Sequence, residues 1–218
     1  MPATNGDDVL NGDGQANSIN GLGGSDEIHG RCGGDFLVGD SLFGPYGNDK
    51  LYGEDGADRL FGFGGNDQLY GGAGADELFG GNEDDRLFGG NNEDDLNGGA
   101  GNDRLVGGAG ADELFGSTGA DTFAFEKIGD SVHFDDLIRD FTDGVDRIDV
   151  SKIDANAGQS GNQAFSVVDG DFTAAGQVRS FQLGGLTYVY LNTDADAQAE
   201  SAFTLSGVHD LSASDFVL

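Results

Sequence analysis

Residues 71–79 read Gly-Gly-Ala-Gly-Ala-Asp-Glu-Leu-Phe, and residues 107–115 read the same nine residues again. The offset of 36 is four nines, and a period of nine holds up to residue 124. Successive turns begin at Ala3, Gly12, Gly21, Gly30, Gly44, Gly53, Gly62, Gly71, Gly80, Gly89, Gly98, Gly107 and Gly116. The one break in step is five extra residues, 39–43, between the fourth and fifth turns. Position 6 of the nine is Asp in every turn but the second, which has Asn17. Position 8 is always apolar, from Leu10 and Ile19 through Leu69, Leu78 and Leu87 to Phe123. Position 4 is Gly except at Gln15, Glu83 and Asn92.

Positions 1 to 6 read as a turn, because Gly at positions 1, 2 and 4 allows φ > 0 and leaves backbone carbonyls uncovered. Positions 7 to 9 read as a short strand, whose side chains alternate between faces. A lone apolar column at position 8 is buried only if the strands stack on one another. The pattern G-G-x-G-x-D-x-U-x resembles the nonapeptide repeat of the RTX (haemolysin-type) calcium-binding family. That resemblance implies an all-β chain: a parallel β-roll, a right-handed β-helix of nonapeptide repeats, followed by a β-rich C-terminal cap. Two nines make one coil of 18 residues, so odd-numbered turns build one sheet and even-numbered turns the other. Six coils at ~4.8 Å per strand give a roll roughly 30 Å long.

Stacking brings aspartates from turns two apart against each other, Asp67 facing Asp85 and Asp58 facing Asp76. Such rows of carboxylates repel unless cations lie between them. Carboxylates with backbone carbonyls form an all-oxygen donor set, which suits Ca²⁺ with its six to eight oxygens better than Mg²⁺, and no thiolate or imidazole cluster suggests zinc. The candidate ligands are Asp8, Asp26, Asp35, Asp49, Asp58, Asp67, Asp76, Asp85, Asp94, Asp103, Asp112 and Asp121. The carbonyls at Gly47, Gly56, Gly65, Gly74, Gly101, Gly110 and Gly119 join them. Same-side gaps allow up to about eleven ions, fewer where the extra residues, Asn17 or a non-glycine position 4 intervene. The core is one column wide, so a ligand that binds the folded state alone must supply much of its stability.

The net charge is −30, with 24 acids and 5 bases giving −19 over residues 3–124. That charge argues against nucleic acid or an anionic membrane as partners, and it favours disorder when cations are lacking. No stretch is apolar enough to span a membrane. The N-terminus shows neither a basic region nor an apolar segment of a signal peptide. Cys32 is the only cysteine, at a variable turn position, and reads as tolerated rather than catalytic. His29, His133 and His209 are isolated and form no H-E-x-x-H, and no G-x-S-x-G occurs. The extra residues read as a bulged loop on the odd-numbered side, between Asp26 and Asp49, in preference to a special ligand site. Asp194, Asp196 and Glu200 are only faintly like a calcium loop and read as charged loop residues.

From Phe125 the period stops, which divides the chain into a roll, 1–124, and a C-terminal segment, 125–218. Residues 140–150 (Asp-Phe-Thr-Asp-Gly-Val-Asp-Arg-Ile-Asp-Val) place a short turn between apolar pieces. Residues 178–183 and 186–191, joined by Gly184-Gly185, read as a hairpin. Residues 202–205 and 216–218 are further strands. Ile138-Arg139-Asp140-Phe141, Asp146-Arg147-Ile148-Asp149, Gly176-Gln177-Val178-Arg179 and the ending Ser214-Asp215-Phe216-Val217-Leu218 resemble the segment that follows the roll in serralysin-type metalloproteases. Roll modules of alginate epimerases end similarly. The resemblance implies a secreted, extracellular bacterial module, exported through a type I secretion transporter, folded by calcium outside the cell and without catalysis of its own. The alternatives are a non-catalytic tail of a larger extracellular metalloprotease, lipase or alginate epimerase, and a structural or adhesive surface protein. An ice-binding face is disfavoured by the mixed residues at positions 7 and 9. Outward aromatics at position 9 (Tyr52, Phe61, Tyr70, Phe79, Phe88) face an extracellular polysaccharide or protein partner, or pack against the C-terminal segment or a neighbouring molecule.

Overall fold

The computed structural model describes residues 3–128, 130, 135–156, 163–194 and 198–218. In the repeats, strands follow one another at the nine-residue period. They are β1 (Val9–Asn11), β2 (Ser18–Leu22), β3 (Glu27–Cys32), β4 (Phe36–Asp40), β5 (Lys50–Asp55), β6 (Arg59–Gly64) and β7 (Gln68–Ala73). β8 (Glu77–Asn82), β9 (Arg86–Asn91), β10 (Asp95–Ala100), β11 (Arg104–Ala109), β12 (Glu113–Thr118) and β13 (Thr122–Ala124) complete them. Odd-numbered strands pair in parallel in one sheet and even-numbered strands in the other. The register is that of the repeat, Leu69 opposite Leu87 and Leu78 opposite Leu96. The chain is therefore a parallel β-roll, with each nine crossing from one sheet to the other.

The strands are longer than the repeat suggests. The ladder pauses at position 1 and resumes at positions 2 and 3, as in Gly72 opposite Gly90 and Ala73 opposite Asn91. The turn proper is confined to positions 4 to 6. Position 2 makes this possible by taking a left-handed backbone. Gly72 and Gly90 adopt φ of 114° and 122°, and even Leu22, Arg31, Glu54, Phe63 and Ser117 take φ between 71° and 83°. Such a conformation costs a side-chain-bearing residue roughly 1–2 kcal/mol. The regular ladder on both sides holds it in place.

Position 8 fills the interior. Leu37, Leu51, Leu60, Leu69, Leu78, Leu87 and Leu105 are completely buried, and Leu10 and Ile19 at the open end are less so. Outside, position-9 rings stack face to face at strand spacing. His29–Tyr52, Tyr52–Tyr70 and Tyr70–Phe88 have centroids 4.7, 4.9 and 4.9 Å apart on one sheet, and Phe61–Phe79 4.8 Å on the other. Interplanar angles of 4–7° mean that the ring faces are spent on one another. Within the stacks, an outside partner meets ring edges.

Beyond Phe125 the nine-residue count is gone but the two sheets continue. β14 (Leu137–Ile138) extends the even sheet and β15 (Arg147–Asp149) the odd one, with Ile138 opposite Leu114 and Ile148 opposite Phe123. The strands β16 (Ser166–Val167), β17 (Gln177–Leu183), β18 (Leu186–Asn192) and β19 (Ser201–Ser206) add to the even sheet. The expected hairpin is β17–β18, with Gly184 and Gly185 at φ of 66° and 85°, the signs a two-residue turn between twisted strands requires. A single turn of 3₁₀ helix, Ala213–Asp215, leads into β20 (Phe216–Val217), which closes the odd sheet against β15. Phe125 stacks on Phe203 at 4.1 Å and joins the same core as the position-8 column. No helix among the described residues is long and apolar enough to cross a membrane.

The extra residues bulge on the odd-numbered side, as expected, but they enter at a different point of the count. Gly39, not Gly44, fills the first-glycine place of the fifth turn. A Cβ on Gly39 would lie 2.0 Å from Asp49 Oδ2, just as one on Gly53 would lie 2.3 Å from Asp58 Oδ2. The sequence shows glycine at both places and cannot distinguish them, whereas packing against the aspartate can.

Candidate metal centre

The repeating contact is a hydrogen bond between aspartates. Asp76 Oδ1 accepts the Asp58 N–H at 2.8 Å, and the Asp76 N–H donates to Asp94 Oδ1 at 2.9 Å. On the odd side the same bond joins Asp49 to Asp67, Asp67 to Asp85, Asp85 to Asp103 and Asp103 to Asp121. On the even side it also joins Asp35 to Asp58 and Asp94 to Asp112. The extra loop leaves the column intact, since the Asp26 N–H still reaches Asp49 Oδ1 at 2.7 Å. The stacking of Asp67 on Asp85 and of Asp58 on Asp76 read from the period is thus observed, each pair joined from backbone N–H to carboxylate.

The other carboxylate oxygen has nothing to bind. Ten roll aspartates, Asp26, Asp35, Asp49, Asp58, Asp67, Asp76, Asp85, Asp94, Asp103 and Asp112, each bury an Oδ2 that lacks a hydrogen-bond partner. A buried, unpaired carboxylate is expensive, and its pKa responds. Burial pushes Asp49 up to about 7, Asp67 to about 9 and Asp85 and Asp94 to about 8. It pushes Asp76, Asp103, Asp112 and Asp121 to about 6. The amide bond from the preceding coil opposes this shift, and neighbouring aspartates add to it.

The geometry fits an oxygen-seeking cation. The place a Cβ on Gly71 would occupy lies 2.5 Å from Asp76 Oδ2 and 2.6 Å from the Gly89 carbonyl oxygen. Gly62, Gly80 and Gly53 repeat the arrangement with Asp67 and Gly80, Asp85 and Gly98, and Asp58 and Gly71. An orphaned carboxylate oxygen and a carbonyl from the next coil therefore meet at a hollow that only glycine leaves open. Among the described residues no three His, Cys, Asp or Glu side chains gather into a cage. Backbone oxygens must complete the donor set, as they do at hard-cation sites.

The position-4 carbonyls point along the stack. The Gly56 oxygen lies 1.6 Å from where a Cβ on Gly74 would be, and the Gly47 and Gly101 oxygens approach Gly65 and Gly119 in the same way. Gly110 faces Asn92, whose φ of 81° shows that a side chain is tolerated at this position. Position-1 carbonyls such as that of Gly89 share this hollow with Oδ2, and the sequence reading did not single them out.

The columns end on protein donors. Thr4 donates its N–H and hydroxyl to Asp8 Oδ2 at 2.6 and 2.8 Å. Asn17 accepts the Asp13 N–H and donates its amide to Asp13 Oδ1. At the far end, the Asp112 and Asp121 N–H groups donate to Asp136 and Asp146, and Asp146 Oδ2 accepts from the Thr142 N–H at 2.8 Å. Asp136 and Asp146 thus continue the columns, though the period does not reach them. The readable signal is local: Asp136-Leu137-Ile138 and Asp146-Arg147-Ile148 keep the Asp-x-apolar tail of the repeat. Asp40, also missed, is completely buried; burial and Asp26 push it to about 6, against the pull of the Gly47 N–H.

The remaining candidates are bonded elsewhere, exposed, or outside the described residues. His29 lies 3.0 Å from both Glu27 and Glu54, and His209 bonds Asp143 and the Ser206 carbonyl. Cys32 is exposed beside Asp55. Glu200 accepts from the Thr193 N–H and hydroxyl, Asp194 is exposed, and His133 and Asp196 lie outside the described residues.

Residues 40–218 match the family model described as Peptidase M10 serralysin C terminal. Residues 2–37 match that of the RTX calcium-binding nonapeptide repeat (4 copies). Among solved structures, the chain is similar to the solution structure of the AlgE6R3 subunit from the Azotobacter vinelandii mannuronan C5-epimerase. Identity is 35%, coverage 71% of this chain and 80% of that one, and the TM-score 0.48. A search of curated proteins gives no match.

Two outcomes follow from the columns. Asp76→Ala removes an interior carboxylate and strands the Asp58 N–H, a loss of roughly 1–3 kcal/mol. Asn17→Ala removes a half-exposed end cap. In calcium titrations followed by circular dichroism, Asp76→Ala raises the midpoint more than Asn17→Ala, and equal shifts would contradict a stacked interior. The second outcome concerns pH. Because burial holds the interior carboxyls above the ordinary 3.8, the metal-free roll keeps their contribution below about pH 4 and loses it as pH rises through about 6 to 9. In excess chelator, the β signal is therefore larger at pH 5.5 than at pH 8.5. No difference, or a larger signal at pH 8.5, would count against the buried carboxylates.

Proposed function

The chain belongs to the serralysin C-terminal family of M10 peptidases, with RTX calcium-binding repeats at its front, and from that premise we propose that it is a secreted module that Ca²⁺ folds outside the cell. The observation that carries this reading is the set of ten buried carboxylate oxygens without partners. At neutral pH these groups oppose folding unless cations meet them. The residues that would hold the ions are the interior aspartates Asp26 to Asp112, with backbone carbonyls of the coil that follows. A bound cation there supplies positive charge to like-charged carboxylates. The chain's own part is to hold the oxygens at coil spacing and to exclude water with the position-8 column.

Linkage gives the direction. A ligand that binds only the folded chain stabilises it by RT ln(1 + [L]/Kd), about 2.7 kcal/mol per site at a hundredfold excess over Kd. In the cytosol, where calcium is scarce, the chain stays unfolded and fit to thread a type I transporter. Outside, filled sites fold it and oppose back-sliding. The module carries no catalysis of its own in this reading, and its family matches are to C-terminal and repeat segments. A second reading, favoured by a family named for the C-terminal part of a peptidase, makes it the tail of a larger extracellular enzyme. The mass of the native secreted polypeptide separates the two.

Far-UV circular dichroism tests the reading. In chelator at pH 7.5 the roll is mostly disordered, added Ca²⁺ restores the β signal, and Mg²⁺ at equal concentration does much less. A fully folded roll in excess chelator would overturn it. Export is tested at the other end of the chain. Phe216 is buried against Ile148, and Asp215 accepts from the Ser212 and Gly144 N–H groups. Without residues 215–218, secretion through a compatible type I transporter falls. Undiminished export with weakened calcium-induced folding would make the tail structural only.

A further inference from the structure

The insertion within the fifth turn leaves a carboxylate buried at position 2, where Asp13 and Glu54 of other turns are exposed. Position 2 takes a left-handed backbone in every turn from the third to the thirteenth except the fifth, where Gly39 is first and Asp40 second. Asp40 pairs with Leu22 in the ladder yet lacks the positive φ of Leu22, Arg31 or Glu54. Where Arg31 and Glu54 are exposed, Asp40 is completely buried. Its Oδ2 accepts the Gly47 N–H at 2.9 Å, and its Oδ1 has no partner. Asp26 Oδ2 and Asp49 Oδ2, the aspartates of the adjoining odd turns, are buried and unpartnered as well. The Gly39 carbonyl oxygen comes 2.5 Å from the place of a Cβ on Gly21, which is itself 1.9 Å from Asp26 Oδ2. The loop is fastened by its own bonds, Ser41 N–H to the Leu22 carbonyl at 2.9 Å and the Tyr46 hydroxyl to the Leu42 carbonyl at 3.1 Å.

We propose that this insertion builds a hard-cation site of its own, held by the two carboxylates Asp40 and Asp49 with backbone carbonyls, which binds Ca²⁺ more tightly than the sites of the repeat and fills first. The inference rests on the calcium reading above and deepens it. An ordinary gap has one orphaned carboxylate oxygen per turn, whereas this one has a second buried carboxylate, Asp40 at position 2. Ligand charge count is a principal control on calcium affinity, and a loop already tied to its neighbours loses little freedom on binding. In no other turn is position 2 a buried carboxylate, so the site belongs to the turn that this insertion distorts and not to the regular nonapeptide.

Calcium-binding isotherms of the full chain, by calorimetry and equilibrium dialysis, test it. The wild-type chain takes up one ion at a free calcium concentration about tenfold or more below the midpoint of the rest. Asp40→Asn loses that early ion while its circular dichroism at saturating calcium is unchanged. Asp85→Asn, in the same column, leaves the early ion in place. Should Asp40→Asn fail to fold, deletion of residues 41–45 decides the matter. It restores the nine-residue count as Gly39-Asp40-Tyr46-Gly47-Asn48-Asp49 and turns Asp40 outward. A wild-type isotherm without an early ion, or either Asp40 variant retaining it, overturns the site. A wild-type chain that takes up no calcium at all overturns the calcium reading instead.

Discussion

The structure depends on one side-chain bond made over and over: an aspartate Oδ1 accepting the backbone N–H of the aspartate one coil earlier. That bond sets the coil spacing and satisfies an amide inside the turn. It also fixes the carboxylate so that its second oxygen faces inward without a donor. Fastening and charge cannot be separated, because the group that ties two coils together is the group that makes them repel. Replacing the aspartate with a neutral residue relieves the repulsion only by losing the tie. A cation resolves the conflict without breaking the bond.

The ends of the columns show the same constraint from the other side. Where no further coil follows, protein donors take the oxygens instead: Thr4 at Asp8, and Thr142 at Asp146. Asn17, the one neutral residue in the aspartate column, lies in the first even-numbered turn, where it bonds Asp13. The C-terminal segment accepts both sheets from the roll. Its side chains tie back through Arg104, which bonds Asp149 at 2.7 Å, and through Phe123 against Phe141. The segment covers the last coil with an apolar core that the repeat, one column wide, cannot build.

Much of this was legible because the period is short and strict. Leu51, Leu69 and Leu87 fall on one face of one sheet by counting alone, and so do the aspartate pairs. The hairpin at Gly184-Gly185 follows from turn chemistry. Three features were not legible, each for a physical reason. The length of the strands rests on position 2 holding a left-handed backbone at Leu22, Arg31 and Phe63, residues whose identity argues against it. The place of the insertion was hidden by glycines at both 39 and 44, which only contact with Asp49 tells apart. Asp136 and Asp146 join the columns across offsets of 24 and 25 residues, so no fixed period finds them.

In the proposed calcium-folded module the orphaned Oδ2 atoms face bound cations. Crystallography of the calcium-loaded chain, with anomalous data to identify the metal, measures this directly. Calcium peaks are expected about 2.3–2.6 Å from Asp67, Asp76, Asp85 and Asp94 Oδ2. A folded, calcium-saturated roll with no metal near those oxygens, and water or a protein donor bound to them instead, would contradict it.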